Sequence, residues 1–272
     1  MSWWRAAVLG LVQGLTEFIP ISSTAHLRIV PALLGWPDPG TAFSAVIQLG
    51  TLAAVLAYFA GDIRRLAWAA LRSLGSARAR REQDARLAWA IAAGNVPIVV
   101  LGLSFRRLIE TEGRSLYLIA ALLVAVGLAL AAAERVARQD RLLDHLGFWR
   151  VQAIGLFQAL ALLPGASRSG STILGGLLLG LRRADAARFS FLLGIPAILG
   201  SGLFQLRALL ESPLGAGGAA LTAGLAVSAV SGYASIGFLL RFLRTRSTLV
   251  FAVYRVALGA LVTGLAARGA IW

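Results

Sequence analysis

Glu17 is the acidic residue of this sequence that lies inside an apolar segment, whereas the others lie in or beside polar stretches. A carboxylate at membrane depth is costly unless it is paired, so Glu17 is a candidate for function. Gln13 precedes it by four residues and shares its helix face. A carboxylate and an amide oxygen side by side suit a hard cation such as Mg²⁺ or Ca²⁺. The alternative is a protonated or arginine-paired Glu17 that only holds helices together.

Hydroxyl groups and a histidine follow this carboxylate. Pro20 ends the first helix and can open the next, since its missing N–H costs nothing at a helix start. Ser22, Ser23 and Thr24 then place hydroxyls beside free backbone N–H groups, an arrangement that faces an anion. His26 follows Ser22 by one turn. The segment therefore offers a nucleophile, a base and a metal ligand, with helix capping by the serines and a packed histidine bonded to a backbone carbonyl as the alternatives.

A second polar stretch, residues 164–172, interrupts another apolar region with the sequence PGASRSGST. Its glycines permit close backbone approach, and its hydroxyls can donate hydrogen bonds. Arg168 offers a planar fork that matches phosphate oxygens. The stretch therefore predicts an oxyanion-binding loop; a helix-packing loop whose arginine extends to the membrane surface is the alternative.

The composition is that of a membrane protein. Of the 272 residues, 58% are hydrophobic and 14% are charged, whereas about 25% are charged in soluble domains. The net charge of +14 comes from 26 arginines against 12 acids. Arginines collected between apolar spans set membrane orientation, so this charge does not indicate nucleic-acid binding. Cysteine is absent from the sequence, which excludes disulfides, thiolate metal sites and cysteine nucleophiles.

Six apolar runs are long enough to cross about 30 Å of hydrocarbon. Two further regions, 1–35 and 151–181, each break into two short runs around Pro, Gly and Ser. Paired broken segments in corresponding positions of two halves are typical of re-entrant helices. We therefore expect a single all-α transmembrane domain of two inverted repeats, about 1–135 and 148–272, each a re-entrant helix hairpin plus three transmembrane helices. The six runs are 41–60, 87–105, 115–133, 189–206, 212–240 and 247–267.

The arginines predict the orientation. Four stretches between the spans contain seventeen of them, and the opposite side contains six. The positive-inside rule places the first group in the cytoplasm and both termini outside, so the two hairpins enter from opposite sides and their tips meet in mid-membrane. Arg255 interrupts the last span, and we expect it to extend to the cytoplasmic surface, with a supporting role near the site as the alternative. The four stretches are 61–86, 134–150, 182–188 and 241–246.

Residues 13–27 (QGLTEFIPISSTAHL) and 164–172 closely resemble the two signature motifs of the undecaprenyl-diphosphatase family, which is associated with bacitracin resistance. The resemblance implies hydrolysis of undecaprenyl diphosphate to the monophosphate carrier lipid and inorganic phosphate, with a divalent cation, Mg²⁺ or Ca²⁺. It also implies a multi-pass protein of the bacterial plasma membrane whose active site opens to the outer face. The reaction would recycle the carrier lipid for peptidoglycan synthesis.

The resemblance also implies roles for individual residues. Glu17 matches the family's essential glutamate and metal ligand, and Gln13 matches the other ligand position of the same element. Ser23 matches the nucleophile, His26 the general acid/base and Arg168 the phosphate-binding arginine. The hydroxyl residues predicted to bind substrate are Ser22, Thr24, Ser167, Ser169 and Thr172.

Two questions stay open at this point. Either His26 or Glu17 could take the proton of Ser23, and direct attack by water fits the same residues. A polyprenyl-phosphate flippase or transporter is the alternative function, since broken helices at the membrane midplane are also a transporter design. The expected partners are undecaprenyl diphosphate and membrane lipid and not nucleic acid; a homodimer is compatible with the sequence.

Overall fold

The computed structural model describes residues 1–105, 115–210 and 218–271. These ranges are helical and contain no named β-strand, which confirms the all-α prediction. An isolated bridge pairs Arg141 with Leu181. The α-helices of these ranges are α1 (Trp3–Phe18), α2 (Ser23–Leu33), α3 (Gly40–Tyr58), α4 (Ala60–Gly75), α5 (Gln83–Gly94), α6 (Val96–Ser104), α7 (Leu116–Val136), α8 (Phe148–Ala159), α9 (Arg168–Leu178), α10 (Arg183–Leu210), α11 (Gly218–Phe242) and α12 (Leu249–Ala267).

Six helical stretches in the described ranges are long and apolar enough to cross a membrane, and they coincide with the six predicted spans. Helices α3, α7, α11 and α12 each form one stretch. Helices α5 and α6 together form another, Gln83–Ser104, although the helix breaks at Asn95. The sixth is the part of α10 from Arg183 to Phe204.

The two regions predicted to break into short segments do so. In the first, α1 has 16 residues, which gives a length of about 24 Å, short of the membrane core. It ends at Phe18 because Ile19 adopts an extended conformation, and α2 starts at Ser23. In the second region, α8 is followed by a 3-10 turn and then by α9. We call α1–α2 the first hairpin and α8–α9 the second hairpin.

Each hairpin packs its first helix against a long helix from the other half of the chain. Helix α1 lies along α11, and α8 lies along α5 and α6. Both contacts are close at glycines, because a Cβ atom on Gly10 would collide with the backbone of Gly224 and one on Gly155 with the backbone of Gly94. Small residues of this kind let membrane helices approach each other. Helix α3 packs against α10 and α11, and α7 packs against α12.

Three of the four arginine-rich stretches contact one another at one end of the bundle, which we call the basic end, and the fourth, 241–246, is followed by Thr248, which bonds Glu134 there. Arg188 bonds Asp62 at 2.7 Å. Glu134 accepts a hydrogen bond from Arg183 at 2.6 Å and one from the Thr248 hydroxyl at 2.5 Å. These contacts bring the stretches to one end of the bundle, and their cytoplasmic location stays a prediction. Further contacts join Gln83 to Asp144 and Arg141 to Leu181.

Residues 61–86 differ from the expectation of a loop, because they contain α4 and a short 3-10 turn, Ala79–Arg81. One face of α4 packs on the protein through Leu66 and Ala69. The arginines of this segment divide it into short apolar runs, so the apolar residues at helical spacing are hard to recognise in the sequence. The apolar side chains that α4 leaves exposed are Trp68, Leu71 and Leu74.

Candidate active site

A cavity of about 450 Å³ takes its polar lining from both hairpins. Glu17, Ser23 and Thr24 line it from the first hairpin, and Ser167 and Arg168 from the second. The two polar stretches that the sequence predicts to meet therefore form one site.

Glu17 is the centre of the hydrogen-bond network at this site. Its Oε2 atom accepts from the Ser23 hydroxyl at 2.6 Å and from the Gln13 amide at 2.8 Å. Its Oε1 atom accepts from Arg168 Nη2 at 3.2 Å. The Glu17 carboxylate is 5% exposed, so the arginine supplies the opposite charge that a buried anion needs. Gln13, Ser23 and Arg168, which are the other predicted metal ligand, the nucleophile and the phosphate-binding arginine, thus all bond Glu17.

The two helices that point Ser23 and Arg168 at Glu17 start in the same way. Ser22 precedes α2 with φ 77°, and Ser167 precedes α9 with φ 70°, both in the left-handed region. Each serine hydroxyl accepts from the backbone N–H three residues later, at 3.4 Å and 3.0 Å. Such strained caps cost on the order of 1–3 kcal/mol and occur mainly at functional sites. They make Ser23 and Arg168 the first residues of their helices.

The remaining predicted hydroxyls divide into two groups. Thr24 and Ser167 line the cavity, whereas Ser22, Ser169 and Thr172 are fully buried behind it. Ser169 donates to the Ile19 carbonyl at 3.3 Å, which joins the two hairpins. The helix-capping alternative thus describes the hydroxyl of Ser22 in this structure, and the substrate contacts of all five residues stay predictions.

Arg168 is positioned by α10. Its Nη1 donates to the Ser190 carbonyl at 3.1 Å, and Thr172 binds the Ser190 hydroxyl at 2.6 Å. Gly194 faces the guanidinium group so closely that a Cβ atom there would overlap it. The Nε–H of Arg168 is buried and has no hydrogen-bond partner among the described residues. This unpaired donor belongs to a side chain that lines the cavity.

The chain matches the model of the family "Bacitracin resistance protein BacA" over residues 6–261. The chain belongs to this family. It is 55% identical to an undecaprenyl-diphosphatase of Myxococcus xanthus, over 99% of this chain and 91% of the relative. It is 50% identical to one from Chloroherpeton thalassium, over 97% of each chain, and 48% identical to one from Chlorobium phaeobacteroides, over 99% of each. The resemblance seen in the two motifs is therefore confirmed.

His26, the predicted acid/base of this BacA family member, forms its hydrogen bonds with Ser22 and Tyr254 and not with Ser23. Its Nδ1 atom is 2.7 Å from the Ser22 carbonyl, so Nδ1 donates and carries a proton. Its Nε2 atom is 2.7 Å from the Tyr254 hydroxyl, and the two rings stack with an angle of 7°. The described lining of the cavity does not include His26. Of the two proton acceptors considered for Ser23, Glu17 is the one in contact with it.

Arg255 is fully buried, so the prediction that it extends to the cytoplasmic surface is wrong. Its guanidinium donates to the carbonyls of Pro20 at 3.2 Å, Gly165 at 2.8 Å and Ala166 at 3.1 Å, and to two carbonyls of α7. Non-helical hairpin tips leave carbonyls without helical partners, and such groups must be satisfied within a membrane. Arg255 supplies those bonds to both tips at once, which is its supporting role.

Gln13 fits the predicted cation. It is fully buried, and its Oε1 atom has no hydrogen-bond partner among the described residues. No group of three or more His, Cys, Asp or Glu side chains in the described part of the chain could hold a metal ion. Mg²⁺ commonly takes one or two protein ligands and completes its shell with water and substrate phosphates. The pair Gln13 and Glu17 is compatible with a cation of that kind.

Several residues of α2 and α3 line the cavity without having been assigned to it. Arg28 lines it and pairs with Asp38 at 3.3 Å. Ser44 and Gln48 line it from α3, where a lone polar residue in an apolar run was the available signal. Asn95 instead bonds the Leu193 carbonyl of α10 at 3.1 Å, an interhelical contact typical of membrane helices.

Proposed function

We propose that this protein hydrolyses undecaprenyl diphosphate to undecaprenyl phosphate and inorganic phosphate. Relatives of about 50% identity over the full chain bear the name undecaprenyl-diphosphatase. The observation that carries the proposal is the Ser23 hydroxyl, which lies 2.6 Å from the buried Glu17 carboxylate beside the guanidinium of Arg168. A protein that only translocates the lipid has no need of a hydroxyl held against a base.

The diphosphate would bind between the starts of α2 and α9. Both helices begin at residues that line the cavity, Ser23 and Arg168, and helix N-termini attract anions. The Nε–H of Arg168 lacks a partner among the described residues and would donate to a phosphate oxygen. In a low-dielectric cavity these donors interact strongly with the charge that develops during phosphoryl transfer.

Ser23 would attack the terminal phosphorus while Glu17 Oε2 takes up the hydroxyl proton. The bond from this phosphorus to the bridging oxygen breaks, and undecaprenyl phosphate leaves with the electron pair and the proton from Glu17. Water then attacks the phosphoserine, and inorganic phosphate leaves as the Ser23 hydroxyl forms again. Direct attack by water, with Glu17 as the base, is the competing route. His26 could act as acid or base only after its hydrogen bond to the Tyr254 hydroxyl breaks.

Gln13 and Glu17 would hold the divalent cation, Mg²⁺ or Ca²⁺. When bound, the cation would neutralise phosphate charge during the transfer. The buried Oε1 atom of Gln13 supports this assignment, since a buried acceptor without a partner is costly. Gln13 keeps the oxygen ligand but brings no charge, so Glu17 and the substrate would supply the negative charge at the metal.

The apolar part of the cavity suits the start of the isoprenoid chain. Residues of α6 and α10, among them Ile98, Val99, Leu103 and Phe204, line the side away from the polar hairpin tips. A polyprenyl chain needs apolar surface and no specific polar contact. The head group would thus lie at the hairpins and the lipid would extend past α6 toward the membrane.

The two halves of the chain would form inverted repeats with re-entrant hairpins. This assignment is supported by the paired packing of α1 on α11 and of α8 on α5 and α6, and by the matching caps Ser22 and Ser167. The basic end would face the cytoplasm and both termini the outside. The cavity is lined near the start of α3 and the end of α6, which are the ends opposite α4, so it would open to the outer face.

Phosphate release from undecaprenyl diphosphate by the purified protein in detergent tests the proposal. We expect release that requires Mg²⁺ or Ca²⁺ and that falls about a thousandfold in Ser23→Ala, because nucleophile and base then no longer act together. Ser76→Ala, at the basic end, is the matched control and should keep full activity. Binding of the lipid without any hydrolysis would refute the proposal and favour a flippase.

A further inference from the structure

A second cavity, of about 700 Å³, lies at the basic end. It is bounded by the end of α4, the 3-10 turn 79–81, the start of α5 and residues 143–148. Leu87 and Ala90 line it on α5, whereas Ile98 and Val99 line the candidate active site on α6. The two cavities therefore lie at opposite ends of the same span, Gln83–Ser104, and no residue assigned to catalysis reaches the second one.

The second cavity is strongly basic. Arg80, Arg81 and Arg86 line it, and Asp144 is the carboxylate among its described lining residues. Arg80 is engaged, because it donates to the carbonyls of Ser73 and Leu74 at the end of α4, at 2.9 Å and 3.3 Å.

Arg81 and Arg86 are exposed, and neither forms an ion pair with a carboxylate in the part of the chain that the structure describes. By contrast, the neighbouring Arg72 pairs with Glu82 at 2.6 Å. Arg81 and Arg86 are therefore the guanidinium groups that could bind an anion in this cavity.

Apart from Ser73 and Gln83, the remaining lining residues are apolar or glycine, and the adjoining surface of α4 exposes apolar side chains. Trp89 lines the cavity and is fixed by a 2.9 Å hydrogen bond from its indole N–H to the Ser73 hydroxyl. Phe148 lines the opposite part and is 43% exposed. Alongside, α4 exposes three large apolar side chains, each more than 60% accessible. An amphipathic helix of this kind lies in the membrane interface, with its apolar face toward the acyl chains.

We infer that this cavity binds the phosphate group of an anionic glycerophospholipid, with Arg81 and Arg86 as the phosphate ligands and the acyl chains along the exposed apolar face of α4. The required chemistry is a phosphate diester head group with a net negative charge, joined to two hydrocarbon chains. Basic pockets between membrane helices bind such head groups, and a guanidinium matches phosphate oxygens in geometry. The inference requires insertion in a membrane but not the proposed hydrolysis.

Lipid binding to the purified full chain tests the inference by native mass spectrometry. The chain in detergent is titrated with phosphatidylglycerol and, separately, with zwitterionic phosphatidylcholine. We expect tighter binding of phosphatidylglycerol, and we expect Arg81→Gln/Arg86→Gln to weaken it roughly 20- to 30-fold, since each arginine near an anionic head group contributes about fivefold. Phosphate release from undecaprenyl diphosphate should not change in this variant.

Arg64→Gln/Arg78→Gln is the matched control. It removes the same charge from exposed arginines of the same segment that do not line the cavity, and it should bind phosphatidylglycerol as the wild type does. Equal losses in both double variants would overturn the inference in favour of a general charge effect.

Two further results would also overturn it. One is equal affinity of the wild-type protein for phosphatidylglycerol and phosphatidylcholine. This comparison uses the wild type alone and so does not depend on whether a variant folds. The other is displacement of phosphatidylglycerol by inorganic phosphate at an equal concentration, which would show that the cavity recognises phosphate alone. Arg81→Lys/Arg86→Lys, which keeps the charge, should retain most of the binding.

Discussion

In the described part of the chain, two glutamate–arginine pairs with buried carboxylates connect helices, and one of these two borders a described cavity. Glu134 and Arg183 connect α7 to α10 at the basic end, where the Thr248 hydroxyl and backbone N–H also donate to Glu134. Glu17 and Arg168 connect the two hairpins at the candidate active site. The two carboxylates are similarly buried, at 9% and 5% exposure.

The pairs differ in their unused hydrogen-bonding capacity. The donors around Glu134 come from the starts of α10 and α12 and fix both to the end of α7. Around Glu17, the Oε1 atom of Gln13 and the Nε–H of Arg168 have no partners among the described residues, and both are buried. A buried carboxylate paired with an arginine therefore occurs both at the basic end and at the candidate active site. Buried polar atoms without a partner, close to a cavity, distinguish the candidate active site from the other pair.

The largest expected effect comes from Glu17→Gln. The substitution keeps the shape and the hydrogen bond from Arg168 but removes the proton acceptor of Ser23, so turnover should fall about a thousandfold. The folded protein should survive, because an amide oxygen still accepts from the arginine. Phosphate release and thermal unfolding in the same detergent measure both effects. Turnover near the wild-type value would show that Glu17 is only a structural partner, as Glu134 is.

Arg168→Lys should reduce turnover about a hundredfold. Lysine keeps the charge but loses the planar fork and the Nε–H, which has no partner among the described residues. We expect most of the loss in kcat, because the donor acts on charge that develops in the transition state. The steady-state kinetics of phosphate release give kcat and KM separately. A change confined to KM would instead make Arg168 a ground-state binding residue.

Glu134→Ala is the counterpart at the other pair. Breaking a fully buried ion pair costs about 3–5 kcal/mol, and the partial exposure of Arg183, 35%, reduces the expected loss of stability to about 1–3 kcal/mol. Turnover per folded molecule should stay within about twofold of the wild type, since Glu134 is remote from the reaction. Thermal unfolding and kcat measure the two quantities. A Glu134→Ala variant that is stable but inactive would show that the Glu134–Arg183 pair is needed for activity, as the Glu17–Arg168 pair is expected to be.

The smallest expected effect is that of Gln13→Glu. The substitution adds a charge beside Glu17, so the concentration of Mg²⁺ that gives half-maximal activity should fall several-fold or stay the same. A titration of activity with Mg²⁺ measures it. A requirement for much more Mg²⁺ would argue against coordination by residue 13.

The sequence predicts those parts of the fold that depend on where apolar, charged and helix-breaking residues occur along the chain. The six spans follow from apolar length, and the broken regions follow from Pro, Gly and Ser within apolar runs. Glu17 and Arg168 stand out because a charge in such a run needs a reason. Glu134 is equally buried but lies at the end of a span next to Arg135, so its sequence position resembles that of a loop acid.

The missed features depend on contacts that no local pattern encodes. Arg255 binds backbone carbonyls, and every residue type has one, so nothing in the sequence identifies its partners. Tyr254 lies 228 positions from His26, to which it bonds. Gly194 matters only because Arg168 from another helix fills the space beside it. Helix α4 is hard to recognise in the sequence because its arginines make an amphipathic helix resemble a charged loop.

The central claim is that Ser23 and Glu17 act as one unit across their 2.6 Å hydrogen bond. A double-mutant cycle on turnover tests it, with Ser23→Ala, Glu17→Gln and the variant carrying both. Groups that act together are strongly non-additive, so the double variant should be about as slow as either single one. Multiplication of the two single losses in the double variant, or wild-type turnover in Ser23→Ala, would contradict the claim.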